Sequence, residues 1–172
     1  MRHALYCFAL APLLATASHA DETRLVDAFD PKRIVSILQD EGYRSKLSVD
    51  EDGKVSIMSG AHGTDFHVYF EACSDGGTKC EILAFRAGFD FDRPPAPAIL
   101  DEWNLKRWTK SFRDEDGDPF LEYAVNMVHG VSEANFRDTL NWYVRELGEF
   151  IDEIGWNDTE SQDVEFPPSQ PI

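Results

Sequence analysis

WNLKRWTKSFRDEDGDPFLEYAVNMVHG, residues 103–130, is the stretch whose reading decides the fold. It holds two of the chain's four tryptophans, the densest acidic turn and the longest strand-like run. A helix enters it, running from about Ala98 to Lys106. Trp108–Asp114 fits either a continuation of that helix, on a Leu100, Asn104, Trp108, Phe112 stripe, or a strand. In the strand, Trp108, Lys110 and Phe112 alternate with Thr109, Ser111 and Arg113. The strand is preferred because Asp114-Glu115-Asp116-Gly117 follows as a turn, and Phe120–Val128 then reads as a long strand.

The same tetrapeptide occurs earlier, at Asp50–Gly53, between Leu47/Val49 and Val55/Ile57. Glycine takes the positive φ that other residues resist, so both copies predict hairpins. Ser59–Gly63 is a polar loop. A further hairpin follows it. In Asp65–Cys73, Phe66, Val68, Phe70 and Ala72 share a face; in Cys80–Phe91, Leu83, Phe85, Ala87, Phe89 and Phe91 do. Setting Cys73 opposite Cys80 places Phe70 on Leu83, Val68 on Phe85 and Phe66 on Ala87. Both cysteines then lie on the face away from the apolar row. Facing Cα atoms would be about 4.5–5.5 Å apart, within disulfide range. One register serves both the bridge and the core, and the bridge is expected to be a structural staple.

The ends set the compartment. Arg2 and His3, the apolar Ala4–Leu14 and the small residues of Ser18-His19-Ala20 follow the plan of a secretory leader cleaved after Ala20. The apolar run is too short to span a bilayer. Cys7 would leave with the leader, so Cys73 and Cys80 remain as a pair, as expected of a chain in an oxidising compartment. About 150 mature residues suit one domain with one core. The formal net charge is −16, and loss of Arg2 makes it one unit more negative. Such a surface repels nucleic acid and anionic lipid.

Residues 21–29 read as a loose lead-in and 30–155 as the domain. Asp30 and Pro31 open a helix with Ile34, Val35, Ile37 and Leu38 on its apolar face, stopped at Gly42. Ser132 caps a last helix along Phe136, Leu140, Tyr143, Leu147, Phe150/Ile151 and Ile154, ended by Gly155. Residues 156–172, acidic and then proline-rich, are expected to be disordered. The whole predicts an α+β fold: a mostly antiparallel sheet covered on one face by three helices.

No catalytic constellation, nucleotide loop or cofactor motif stands out. Asp114, Asp116 and Asp118 space like the start of a calcium loop. Yet the glycine comes too early, Pro119 stands where the sharp-turn glycine belongs, and no Glu closes the loop. A hairpin turn is favoured. His62 and His67 straddle a loop–strand boundary and make a weak metal pair. Asn104, mid-helix beside Trp103, needs partners for its amide. It either clamps a neighbouring backbone or faces a ligand groove.

Tyr43, the Asp52-Gly53 turn, the Cys73…Cys80 strands, Trp103-Asn104, Arg107, Asp114–Gly117, Leu121–Met127 and Gly130-Val131-Ser132 before the Trp142 helix resemble the YbjN family. That family is described as bacterial sensory-transduction regulators. The resemblance covers about Asp30–Ile154. It implies a fold like type III secretion chaperones, an antiparallel sheet with three helices, often dimeric and binding protein segments. It implies no catalytic residues. Many members are cytoplasmic, whereas this chain carries an export signal.

The expectation is therefore an exported, non-enzymatic regulatory or binding protein, periplasmic or secreted, with no membrane insertion after cleavage. It would hold a protein or peptide partner at a sheet edge or inter-helix groove, with Trp103, Asn104 and Arg107 as groove candidates. The alternative is a calcium-responsive or enzymatic domain using the acidic turn and the histidines.

Overall fold

The two DEDG tetrapeptides fold into the same turn. The computed structural model describes residues 25–74 and 77–157. In each turn the first Asp closes the loop twice. Its C=O accepts the glycine N–H, from Gly53 at 3.0 Å and Gly117 at 3.3 Å. Its carboxylate accepts two more amides, Asp52 and Lys54 on Asp50, Asp116 and Asp118 on Asp114, at 2.8–3.1 Å. Gly53 and Gly117 have φ of 79° and 92°, where a Cβ is disfavoured.

These turns organise a sheet. In chain order the elements are β1 (Leu25–Val26), α1 (Pro31–Asp40), β2 (Lys46–Val49), β3 (Val55–Ala61), β4 (Thr64–Glu71), β5 (Ile82–Gly88), α2 (Pro97–Lys106), β6 (Lys110–Arg113), β7 (Pro119–Asn126), β8 (Val131–Ser132) and α3 (Glu133–Glu153). Six strands pair antiparallel in the order β2-β3-β4-β5-β7-β6, and β1 pairs with β8 apart from them. The Trp108–Asp114 ambiguity resolves as strand, β6.

Alternation sends Ile57, Phe66, Val68, Leu83, Phe85 and Leu121 to one face. There they join Ile34 and Leu38 of α1, Leu100 and Trp103 of α2, and Phe136, Tyr143 and Phe150 of α3 in one buried cluster. The fold is thus α+β, with the three helices on one face of a large antiparallel sheet. On the other face Arg86 lies over Tyr69 at 4.8 Å and pairs with Glu122, and Phe112 stacks on Phe120 at 5.3 Å.

Capping follows local chemistry. The Asp30 carboxylate accepts from the Lys32 and Arg33 amides ahead of Pro31, and Ser132 Oγ accepts from the Asn135 amide at 3.2 Å. Glycines 42 and 155, with φ of 90° and 70°, follow α1 and α3.

The β4–β5 hairpin holds the expected register, Phe70 on Leu83 and Val68 on Phe85. Cys73 and Cys80 form a disulfide, with Cα atoms 3.9 Å apart, closer than the ladder spacing suggests. The cysteines do not share a face. Cys80 is buried with the core while Cys73 is exposed. Ala72 takes φ 52°, which breaks the alternation just before the bridge.

The lead-in is docked, not loose: Val26 and Ala28 are buried, and Leu25 and Val26 pair with Ser132 and Val131. Trp156 packs edge-on against Phe89 and Phe91, at 5.3 and 5.0 Å, so the core reaches one residue past the Gly155 turn. The leader expected at 1–20 and the tail from 158 lie outside the described residues.

Candidate functional site

Asn104 closes one edge of the sheet. Its Oδ1 accepts the Ser111 N–H at 2.8 Å, and its Nδ2 donates to the Ser111 C=O at 2.9 Å. The side chain thus makes both bonds that a neighbouring strand would make. Asp114 N–H bonds the Asp118 C=O at 3.1 Å at the hairpin end. Antiparallel alternation from that pair turns the Ser111 backbone outward, away from β7. Of the two roles open to Asn104, the structure shows the clamp.

Trp103 and Arg107 complete the same join. Trp103 is buried, its Nε1 donates to Thr109 Oγ1 at 3.0 Å, and its ring meets Phe150 edge-on at 4.9 Å. The Arg107 guanidinium lies 4.9 Å over that ring and pairs with Glu149, with Glu146 at 3.8 Å. Glu146 is 4% exposed and accepts from the Thr109 hydroxyl at 3.4 Å. The structure therefore brings Trp103, Asn104 and Arg107 together: Asn104 ties α2 to β6, and Trp103 and Arg107 fix α2 onto α3.

The opposite edge, β2, is built differently. Asp50 N–H bonds the Lys54 C=O at 3.0 Å, so the same alternation turns the Leu47 and Val49 backbones away from β3. Gln39 Nε2 takes the preceding outward carbonyl, Ser45, at 2.9 Å. No hydrogen bond among the described residues joins the outward groups of Leu47 and Val49. Their side chains are 39% and 63% exposed, with Val55 at 38% beside them. Arg44, Lys46 and Lys54 are exposed along this edge, as are Asp50, Glu51 and Asp52 of its turn. A recess of about 370 Å³ opens at the start of β2 between Arg44, Lys46, Met58, Gly60 and Asp65. The sequence reading placed Leu47 and Val49 in a hairpin but not at an edge.

The acidic turn and the histidines lie apart. The Asp114 carboxylate is engaged within its turn, and Asp118 Oδ1 accepts the Phe91 N–H at 3.0 Å. Among the described residues, no group of three or more His, Cys, Asp and Glu is placed to hold a metal ion. His62 Nε2 bonds the Val144 C=O of α3 at 3.0 Å. His67 stacks on Tyr69 on the face without helices, its pKa lowered by burial against the opposing pull of Asp65. His129 sits at φ 65° ahead of Gly130, a residue of the turn leading to β8.

The family model YbjN, "Putative bacterial sensory transduction regulator", matches residues 30–156. The chain belongs to the YbjN family. The matched span starts at the Asp30 cap and ends on Trp156, the last ring packed on the core among the described residues. A search of curated proteins finds no match. The crystal structure of YbjN from E. coli, described as "a putative transcription regulator", is similar in fold. Its TM-score is 0.53 at 17% identity, covering 78% of this chain and 97% of that one. No helix among the described residues is long and apolar enough to cross a membrane.

Proposed function

We propose that this YbjN-family protein is an exported regulator that works by binding and not by catalysis, holding an extended segment of a protein partner along β2. The carrying observation is the contrast between the two sheet edges. Asn104 occupies the outward groups at Ser111, whereas the outward groups of Leu47 and Val49 have no partner among the described residues. A partner segment added there gains main-chain bonds from the ladder and specificity from alternate side chains. Exposed Leu47, Val49 and Val55 supply the apolar contacts. The leader sequence supports export, and the Cys73–Cys80 bridge is in keeping with it, because disulfides persist in oxidising compartments.

The test is a photo-crosslinking residue at Val49 in the protein expressed in a Gram-negative cell, with a control at Arg113 on the opposite edge. The expected result is one partner captured from Val49 alone, by a chain whose intact mass shows cleavage after Ala20. Equal capture from both edges, or an uncleaved cytoplasmic chain, overturns the proposal.

A further inference from the structure

The outer side of β2 comes to a stop at one end. Antiparallel alternation turns the Ser45, Leu47 and Val49 backbones outward, and the Ser45 C=O is already held by Gln39 Nε2 at 2.9 Å. A strand added to this edge bonds at Val49 and Leu47 and then finds the next carbonyl taken. Arg44 and Lys46 flank that stop, both exposed and neither in a hydrogen bond or ion pair among the described residues. We propose that the segment held on β2 is the free C-terminus of another protein, with its terminal carboxylate beside Arg44 and Lys46. The inference rests on the reading of β2 as a binding edge and gives that edge a class of partner.

The charges along the edge set the direction. All pairs in the six-stranded sheet are antiparallel, and a guest strand that follows suit brings its C-terminal end to Lys46. A parallel guest would bring its N-terminal end there, against two cations. The far end of β2 is the acidic turn, with Asp50, Glu51 and Asp52 exposed beside Lys54, which disfavours a carboxylate. Neighbouring acids leave Arg44 and Lys46 free. Asp40 and Glu41, at the end of α1, pair with Arg137. Asp65 faces Arg44 across Gly60 without an ion pair: a Cβ on Gly60 would stand 3.2 Å from Asp65 Oδ1 and 4.0 Å from Arg44 Nη2. Gly60 has no side chain to fill that space, and it floors the recess of about 370 Å³ bordered by Arg44 and Lys46.

The register gives the rest of the guest. Its last residue lies opposite Leu47 and its third-last opposite Val49. Residues directly opposite share a face, so both side chains lie beside the exposed Leu47 and Val49 and are apolar. The residue between them lies opposite Ser48 and is small or polar. The terminal carboxylate accepts the Leu47 N–H, and its other oxygen is left for Lys46 and Arg44 in charge-assisted bonds. An internal segment in the same register would run on past Leu47 with the Ser45 carbonyl already taken and no terminal charge to offer the cations.

Acetylated hexapeptides test this, random except for Val, Ile, Leu or Phe at the last and third-last positions, made as one pool of free acids and one of amides. Peptides retained by the immobilised mature chain are identified by mass spectrometry, and the best is measured in both forms by fluorescence anisotropy. The acid is expected to bind about tenfold more tightly than its amide, the worth of one charge-assisted bond. On a chain of net charge −16 without such a site the order would be the reverse. Arg44→Gln/Lys46→Gln is expected to remove the preference and leave the thermal melt unchanged, and Arg44→Lys/Lys46→Arg, which keeps both charges, to retain it. Equal binding of acid and amide overturns the proposal, as does a preference that survives in the Gln-substituted chain. So does a failure of both pools to bind, including one caused by a second copy covering β2, which light scattering would show as a dimer. Capture from Val49 of an internal segment of a partner would leave the proposed function standing while sinking this one. No capture from Val49 sinks the reading beneath it.

Discussion

The ring of His62 occupies the space where a side chain on Gly148 would be. A Cβ at Gly148 would stand 2.9 Å from His62 Nε2 and 3.0 Å from Cε1. His62 is held there from the tip of the β3–β4 hairpin, at φ 52°, with Nε2 bonded to the Val144 C=O at 3.0 Å. The bare turn of α3 thus receives the hairpin, and the helix tolerates a glycine in its interior for that contact.

A mutant cycle should show this as a change of sign. Alanine stabilises a helix interior by about 1 kcal/mol over glycine. In the His62→Ala background, Gly148→Ala should therefore stabilise by about that amount. With His62 present, the new Cβ displaces the ring and its hydrogen bond, so Gly148→Ala should be destabilising. Urea denaturation of the four proteins measures both signs. Additivity of the two substitutions would contradict the contact.

Asn104 provides a second test, on a bond pair instead of a cavity. Asn104→Leu leaves the Ser111 N–H and C=O without their partners, and the expected loss is about 2–4 kcal/mol. Asn104→Asp keeps an acceptor for the N–H but offers no donor to the carbonyl, so its loss should fall between those of wild type and the leucine variant. The leucine variant should also associate at high concentration through the uncovered edge. Chemical denaturation and light scattering read the two effects separately.

The Tyr143 hydroxyl is buried with no hydrogen-bond partner among the described residues. Its ring packs against Phe66 and Phe85. Removing the oxygen should therefore be neutral or stabilising, by up to about 1–2 kcal/mol in Tyr143→Phe. Burial, with a smaller pull the other way from Arg86, raises the phenol's pKa well above its ordinary value. The neutral form is thus favoured in the folded state. Its contribution to stability is complete below the unfolded value near pH ~10 and falls as pH rises beyond it, by about 1.4 kcal/mol per pH unit. Tyr143→Phe should remove one proton's worth of that alkaline slope. Denaturation midpoints between neutral and strongly alkaline pH provide the comparison.

Reducing the Cys73–Cys80 bridge should cost about 2–3 kcal/mol, the freedom returned to the unfolded chain when so short a loop opens. Thermal melts with and without a phosphine reductant measure it. A Cys73→Ser/Cys80→Ser chain should melt with the reduced protein and show no response to reductant.

What could be read from the sequence was whatever carried a local signature. The Asp-Gly turns fixed two hairpins, and alternation around Cys73 and Cys80 fixed the β4–β5 register. The α3 stripe from Phe136 to Ile154 gave its buried face. Other features needed the assembled sheet. A two-residue strand has no period, so Val26 looked like part of a loose lead-in. The left-handed Ala72 breaks an alternation that the sequence continues through it, which moved Cys80 into the core. Asn104 was recognisable as an amide in need of partners, but Ser111 became its partner only once β6 was known to lie at an edge. Leu47 and Val49 showed the pattern of hairpin residues, and nothing local to them tells that β2 is the last strand. Gly148 matters only through a ring from a distant hairpin.

The unequal edges also limit how copies of this domain can join. A sheet with two open edges can accept a neighbour on each side, and repetition of that contact makes a fibre. Here the Asn104 amide occupies the outward groups of β6 at Ser111, which biases strand-to-strand joining toward β2. Two β2 edges that meet consume each other, and growth stops at a pair. A single side chain on α2 thereby tilts edge pairing toward closed pairs and away from fibres.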